Sequence, residues 1–201
     1  MKAKTALFGG ALIAAGITSG ASAQLVMDFQ SLESNGTGFI DHGFSYSANG
    51  FTVSHPNSEP FEFTTAETGN TSFYQGSTML FNNTVNGVIT LAQDNGNPFD
   101  MDSIDIAALF VGGTNTTVNF TGNLNGGGQV FASFTTSSGT GIETFSFAGL
   151  GFDNLDNMTW IQESSGGTFH QFDNVTVGVI PAPASLALLG LGGLVATRRR
   201  R

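Results

Sequence analysis

The sequence predicts an all-β fold, an antiparallel β-sandwich of the jelly-roll kind. Between residues 24 and 179, apolar and polar residues alternate in short runs, which is the period of half-buried strands. The runs are rich in Phe, Val and Thr, and turns containing Gly or Asn-Gly separate them at short intervals. No segment in this range has the apolar period of an amphipathic helix. Strands at this spacing with glycine-rich turns are typical of sandwiches and jelly rolls.

The strand-like runs extend along the whole range. The first contains the alternating Leu25, Met27 and Phe29. Residues 103–111 are the one run compatible with a helix, but bounding glycines and short length favour a buried strand. Other runs occupy residues 61–64, 118–121, 130–134, 144–147 and 172–177, with turns at 49–50, 86–87, 95–96, 112–113 and 125–128. With no internal repeat and no linker, one domain over residues 24–179 is predicted.

The first 23 residues have the parts of a secretory signal peptide. Two lysines precede a short apolar stretch over residues 7–17. Ala21 and Ala23 form a small-x-small site that a signal peptidase cuts before Gln24. The apolar stretch is too short for a permanent transmembrane anchor. We therefore predict that residues 1–23 are removed on export.

Charge is distributed very unevenly along the chain. There are 6 Lys and Arg residues and 15 Asp and Glu residues, for a formal net charge of −9. All six bases lie in the terminal segments, so residues 24–197 carry all 15 acids and no base. A domain of this charge cannot neutralise phosphates, which excludes nucleic acid as a partner. Without Cys there is no disulfide and no thiolate metal site, and stability rests on packing.

The C-terminal segment, residues 180–201, combines a proline motif, an apolar run and a basic cluster. A helix over residues 184–197 rises about 21 Å, so spanning a bilayer requires flanking apolar residues or local thinning. The basic cluster stays on the cytoplasmic side and holds the domain outside. The motif is Pro181, Ala182, Pro183, Ala184 and Ser185, and the cluster is Arg198, Arg199, Arg200 and Arg201.

This three-part order resembles the PEP-CTERM sorting signal of bacterial exported proteins. The family has Glu where Ala182 stands here, so the motif is a Pro-Ala-Pro variant. The resemblance implies processing by exosortase, a membrane-embedded cysteine protease-transpeptidase, after transient anchoring in the inner membrane by a hydrophobic transmembrane helix. It also implies a location at the cell envelope, the surface or the biofilm matrix. Signal peptidase and an exosortase-like enzyme are the partners it implies.

Short stretches of the central domain resemble the β-sandwich domains of PEP-CTERM proteins and carbohydrate-binding jelly rolls. These are residues 119–122 before a glycine-rich turn, residues 145–147, and residues 172–175. The resemblance implies a jelly-roll fold with an extracellular polysaccharide as partner. In such jelly rolls an acidic residue of the last strand can ligate a structural calcium ion, and Asp173 matches that position.

The domain contains few residues that are candidates for metal binding or catalysis. Asp94, Asp100 and Asp102 lie in an oxygen-rich loop of the kind that hard cations prefer, so they join Asp173 as candidate calcium ligands. Turn Asn and Asp also serve local hydrogen bonding. Asp100 and Asp102 share a strand face, as paired glycosidase carboxylates require, whereas Asp105 is expected on the opposite face. A solvated strand edge explains them equally well, so a non-catalytic carbohydrate-binding or structural module is favoured over a glycan-active hydrolase.

Histidines and polar aromatics supply no coherent site. The histidines are too dispersed for zinc and are expected at the surface: His42, His55 and His170. Trp160, Tyr46 and Tyr74 carry rings able to stack on sugars, although the alternation around Trp160 favours the core. Threonines at strand spacing suggest an ice-binding alternative, but they form no regular repeat.

Overall fold

The computed structural model describes residues 23–84, 86–137, 139–161 and 169–180. Apart from Ala23 and Ile180, the predicted signal peptide and the predicted sorting segment lie outside these residues. Among the residues described, no helix is long and apolar enough to cross a membrane.

Strands dominate the described part of the chain, with one turn of 3₁₀ helix over Gln30–Leu32. Every strand pairing found there is antiparallel. The prediction of an all-β antiparallel fold is therefore confirmed. The strands are β1 (Ala23–Met27), β2 (Phe39–Asp41), β3 (Ser45–Ala48), β4 (Phe51–Ser54), β5 (Phe63–Ala66), β6 (Leu80–Asn82), β7 (Val88–Gln93), β8 (Phe99–Ala108), β9 (Thr117–Leu124), β10 (Gln129–Thr135), β11 (Glu143–Ser146), β12 (Leu155–Ile161) and β13 (His170–Val179).

The 13 strands form one sheet that curls until its two halves face each other. The first half has the order β2-β5-β6-β13-β8, with β11 beyond β8. The second half has the order β12-β7-β4-β3, with β9 and then β10 on the other side of β12. One register pair, Leu155 with Phe99, joins the halves. Along β13, the neighbour changes from β6 at Phe172 to β1 at Val175.

The core lies between the two halves and consists largely of aromatic rings. Trp160 of β12 meets Phe172 of β13 edge-on, with ring centroids 5.1 Å apart. Phe51 of β4 stands 5.3 Å from Phe99 of β8 in the same geometry. Such pairs contribute about 0.5–1.5 kcal/mol each beyond the burial of their apolar area. Trp160 is fully buried, which confirms that it belongs to the core.

Turn chemistry acts as the sequence indicates between β3 and β4. Asn49 and Gly50 have φ angles of 54° and 80°. Two successive positive φ angles define the type I′ turn, whose twist matches that of a hairpin. The turn brings Ala48 opposite Phe51 and sets the register of both strands.

A bulge in β8 changes which way Asp105 faces. Met101 and Ile104 are both buried, and two residues lie between them where a regular strand has one. The pairing of β8 with β13 shifts at the same place. Asp105 therefore lies on the outward face together with Asp100 and Asp102. The expectation that Asp105 occupies the opposite face is wrong.

Two histidines are buried, so the expectation of surface positions is wrong for them. His55 packs between the rings of Phe44 and Phe63, and its Nδ1 lies 3.0 Å from a Glu59 carboxylate oxygen without hydrogen-bond alignment. His170 is 1% exposed, and neither ring nitrogen has a hydrogen-bond partner among the residues described. Burial lowers the pKa of His170 to about 3. Its imidazole is consequently neutral in the folded protein near neutral pH.

We expect His170 to make the protein acid-sensitive. From its ordinary pKa of 6.5 down to about 3, the unfolded chain binds a proton that the folded chain excludes. The free energy of unfolding then falls as the pH is lowered through this window, with His170 contributing up to about 1.4 kcal/mol per pH unit. His170→Leu should abolish this contribution and stabilise the protein, because it also removes two unpaired buried nitrogens. Urea unfolding across the window measures it, and an unchanged slope in the variant contradicts the assignment.

Candidate functional site

A groove of about 520 Å³ lies on the outward face of the first half-sheet, over β2, β5 and β6. Thr64 of β5 pairs with Asp41 of β2 on one side and with Phe81 of β6 on the other. Phe63, the neighbour of Thr64, points into the core. Because side chains alternate along a strand, the row from Asp41 to Phe81 faces outward and forms the floor. We call this site the aromatic groove.

Phenylalanine rings form much of the groove wall. Phe39 packs edge-on against Phe73 at 4.7 Å, and Phe73 lies 4.8 Å from Phe110. Phe39, Phe61 and Phe110 are 45%, 50% and 42% exposed, although each is a large apolar side chain. Apolar rings gathered in one exposed concavity mark a binding surface more often than scattered ones do.

Two carboxylates line the same groove. Thr64 Oγ1 donates to Asp41 Oδ1 at 2.9 Å, and the Gly43 N–H donates to Glu62 Oε2 at 2.9 Å. These bonds hold the two side chains in place. The second oxygen of each, Asp41 Oδ2 and Glu62 Oε1, has no hydrogen-bond partner among the residues described. Each is therefore free to accept a hydrogen bond from a ligand.

The polar aromatics selected from the sequence lie elsewhere. Trp160 is in the core. Tyr46 packs against Phe29 with ring centroids 5.1 Å apart, and its hydroxyl donates to the backbone oxygen of Asp28. Burial, together with the nearby acids, raises the pKa of Tyr74, which does not line the groove. The positions of Trp and Tyr in the sequence do not indicate the groove, because its exposed rings are Phe.

The candidate carboxylates Asp94, Asp100 and Asp102 do not line the aromatic groove. The prediction that all three lie in one loop is wrong, because Asp100 and Asp102 belong to strand β8. Asp100 and Asp102 share the outward face of β8, as predicted, where Asp100 accepts from the Asn154 N–H at 2.7 Å. Asp102 accepts from the side chain of Gln24 at 3.2 Å, and Asp94 accepts from Thr52 Oγ1 at 2.6 Å. Within the described ranges, no group of three or more His, Asp or Glu side chains converges as a metal site would require.

Asp173 is fully buried at the point where β13 changes neighbours from β6 to β1. Oδ1 accepts from the backbone N–H groups of Asn174 at 2.8 Å and Phe29 at 3.3 Å. Oδ2 accepts from Ser77 Oγ at 2.6 Å and Gln30 Nε2 at 3.4 Å. Burial raises the pKa of Asp173, and the hydrogen bonds partly oppose that rise. Both oxygens are thus engaged by neutral donors, which a cation would have to displace.

A second surface lies on the outward face of the other half-sheet. The pairings of β9, β12, β7, β4 and β3 align five hydroxyl side chains in one row, which we call the hydroxyl row: Thr121, Thr159, Thr90, Ser54 and Ser45. Neighbouring strands lie about 4.8 Å apart, so the row spans about 19 Å. Phe131, 69% exposed, pairs with Thr121 at one end, beside a shallow concavity of about 320 Å³. Strand pairing therefore aligns hydroxyls that form no repeat in the sequence.

Comparison with known proteins assigns the chain to no family. No protein-family model matches the chain, and no curated protein matches it. Among solved structures, the chain is similar to the Family 11 Carbohydrate-Binding Module from Clostridium thermocellum in complex with a β-1,3-1,4-mixed-linked tetrasaccharide. The identity is 15%, the match covers 79% of this chain and 96% of that chain, and the TM-score is 0.34. A likeness at this TM-score carries no argument about the fold or the ligand of this chain.

Proposed function

We propose that this protein is a non-catalytic glycan-binding module displayed at the surface or in the extracellular matrix of a bacterium. The observation that carries the proposal is the aromatic groove, in which exposed phenylalanine rings stand beside carboxylates with an unused oxygen. Sugar rings pack their apolar faces on aromatic side chains, and sugar hydroxyls donate to carboxylates. The groove volume of about 520 Å³ falls in the ordinary range for ligand sites.

A glycan-active hydrolase that uses Asp100 and Asp102 is the alternative. Glycoside hydrolysis requires two carboxyl groups on either side of a bound glycosidic bond, one of them with a raised pKa. Asp100 and Asp102 are next-but-one neighbours on a single strand, and neither lines the aromatic groove. The arrangement favours binding without turnover.

Loss of a groove ring should weaken glycan binding. Phe61→Ala removes a half-exposed ring from the groove, and we expect the Kd for a bound oligosaccharide to rise about tenfold or more, the range for losing a buried apolar ring. Phe131→Ala removes an exposed ring from the other half-sheet and serves as the matched control. A glycan array identifies the oligosaccharide, and calorimetry with the full chain measures the Kd.

A hydrolysis screen on the same glycans tests the alternative. We expect no turnover, because Asp100 and Asp102 do not line the groove in which the sugar is proposed to bind. Turnover in the wild type that Asp100→Ala or Asp102→Ala abolishes contradicts the proposal and supports the hydrolase. Equal weakening by Phe61→Ala and Phe131→Ala contradicts the groove assignment.

The pairing of β1 with β13, the first and last strands in the sequence, supports display of the domain from a single membrane. Ala23 of β1 pairs with Val179 of β13, so the chain enters and leaves the domain side by side. The predicted signal peptide precedes β1, and the predicted sorting segment follows β13. We propose that signal peptidase removes residues 1–23 and that an exosortase-like enzyme processes the 180–201 segment, which until then anchors the domain in the inner membrane.

Mass spectrometry of the surface-released protein tests this processing. We expect the mature N-terminus at Gln24 and a C-terminus that lacks the four arginines. Replacing Arg198–Arg201 by Gln should leave N-terminal cleavage intact and impair C-terminal processing, because the basic cluster orients the segment in the membrane. A released form that still carries Arg198–Arg201 overturns the sorting proposal.

We also propose that calcium stabilises the folded domain through the Asp94–Asp102 segment or Asp173. Acids gathered without a cationic side chain raise the electrostatic free energy of the folded state. An ion that binds only the folded form adds about 2.7 kcal/mol at a hundredfold excess over its Kd. The Tm should therefore be higher in millimolar calcium than in EDTA at matched ionic strength. Equal Tm values would mean that calcium acts only by general screening of the acidic charges, and they would contradict the calcium proposal.

A further inference from the structure

The polar atoms of the aromatic groove are mostly acceptors. Asp41 and Glu62 each offer a carboxylate oxygen with no partner among the residues described. The Thr64 hydroxyl, which also lines the groove, already donates to Asp41. Asn83 contributes a neutral amide. A ligand that fits this lining brings donors and few acceptors, because a buried acceptor without a donor is destabilising.

The charge of the domain further restricts the class of ligand that can bind. No Lys or Arg occurs anywhere in residues 24–197, so no permanently cationic side chain in the domain balances the two groove carboxylates. A glycan that carries uronates is repelled from such a site, whereas a cationic glycan is attracted over a Debye length of about 8–10 Å. The exposed faces of Phe39 and Phe61 add attraction, since an aromatic face carries partial negative charge that favours a nearby cation.

From these observations we propose that the aromatic groove selects glycans with free amines, namely hexosamines in their de-N-acetylated, cationic form. An ammonium group has three donors and no acceptor, which matches the free oxygens of Asp41 and Glu62. An N-acetyl group at the same position presents a carbonyl acceptor to a lining of acceptors. The inference rests on the proposed glycan-binding function and names its substrate class.

Calorimetry with the full chain in detergent solution tests the selectivity. The probes are a β-1,4-linked glucosamine hexasaccharide and the N-acetylglucosamine hexasaccharide of the same linkage. We expect the free amine form to bind about tenfold more tightly or better, the effect of one charge-assisted hydrogen bond. The double variant Asp41→Asn with Glu62→Gln keeps the shape of the groove and should reduce this ratio to about twofold or less.

A matched control separates local contacts from net charge. Glu33→Gln with Asp153→Asn removes two negative charges from exposed positions that do not line the groove, and it should preserve the wild-type ratio. Equal affinities of the wild type for the two hexasaccharides overturn amine selectivity and leave glycan binding intact. Binding of neither, with no other array glycan bound, overturns the proposed function itself. A hexalysine peptide that binds as tightly as the glucosamine probe overturns the assignment to a glycan.

Discussion

The folded domain has to accommodate its acids without one cationic side chain, and this constraint is strictest at Asp173. Its carboxylate is fully buried, and hydrogen bonds come from three separate segments: the chain after β1, the turn before β6, and β13 itself. These segments meet where β13 exchanges β6 for β1 as its neighbour. Because β5 and β2 follow β6 in the sheet, the floor of the aromatic groove is built outward from this junction.

Neutral hydrogen-bond donors therefore stabilise the carboxylates of this domain, as ion pairs do in most proteins. Hydrogen bonds to a charged group contribute about 1.5–3 kcal/mol each, so a carboxylate with four donors is stable without a counter-ion. Asp173 is satisfied on both oxygens in this way. Asp41 and Glu62 receive one strong donor on one oxygen and keep the other free. The contrast separates a carboxylate that holds the fold from carboxylates that are available to a ligand.

Local features of the sequence predict the local features of the structure. Period-two alternation predicts the strands, Asn49-Gly50 predicts the hairpin turn, and the alternation around Trp160 predicts its burial. The bulge that turns Asp105 outward is not predictable from alternation, because it depends on the register between β8 and β13. The burial of His170 is not predictable from the sequence either, because a polar residue at the start of a strand is usually exposed.

The binding surfaces depend on strand order, which alternation does not contain. Phe39, Phe61 and Phe110 come from three distant parts of the chain, and the β2-β5-β6 order with the loop after β8 brings them together. The same holds for the hydroxyl row, in which each member comes from a different strand. Period two indicates which residues face outward, but the sheet topology determines which outward residues are neighbours.

A crystal structure of the protein with the β-1,4-linked glucosamine hexasaccharide tests the central claim most directly. We expect a sugar ring in the aromatic groove against Phe39 or Phe61, with an amine within hydrogen-bonding distance of Asp41 Oδ2 or Glu62 Oε1. Density for the glycan along the hydroxyl row beside Phe131, or at Asp100 and Asp102 on β8, would contradict it.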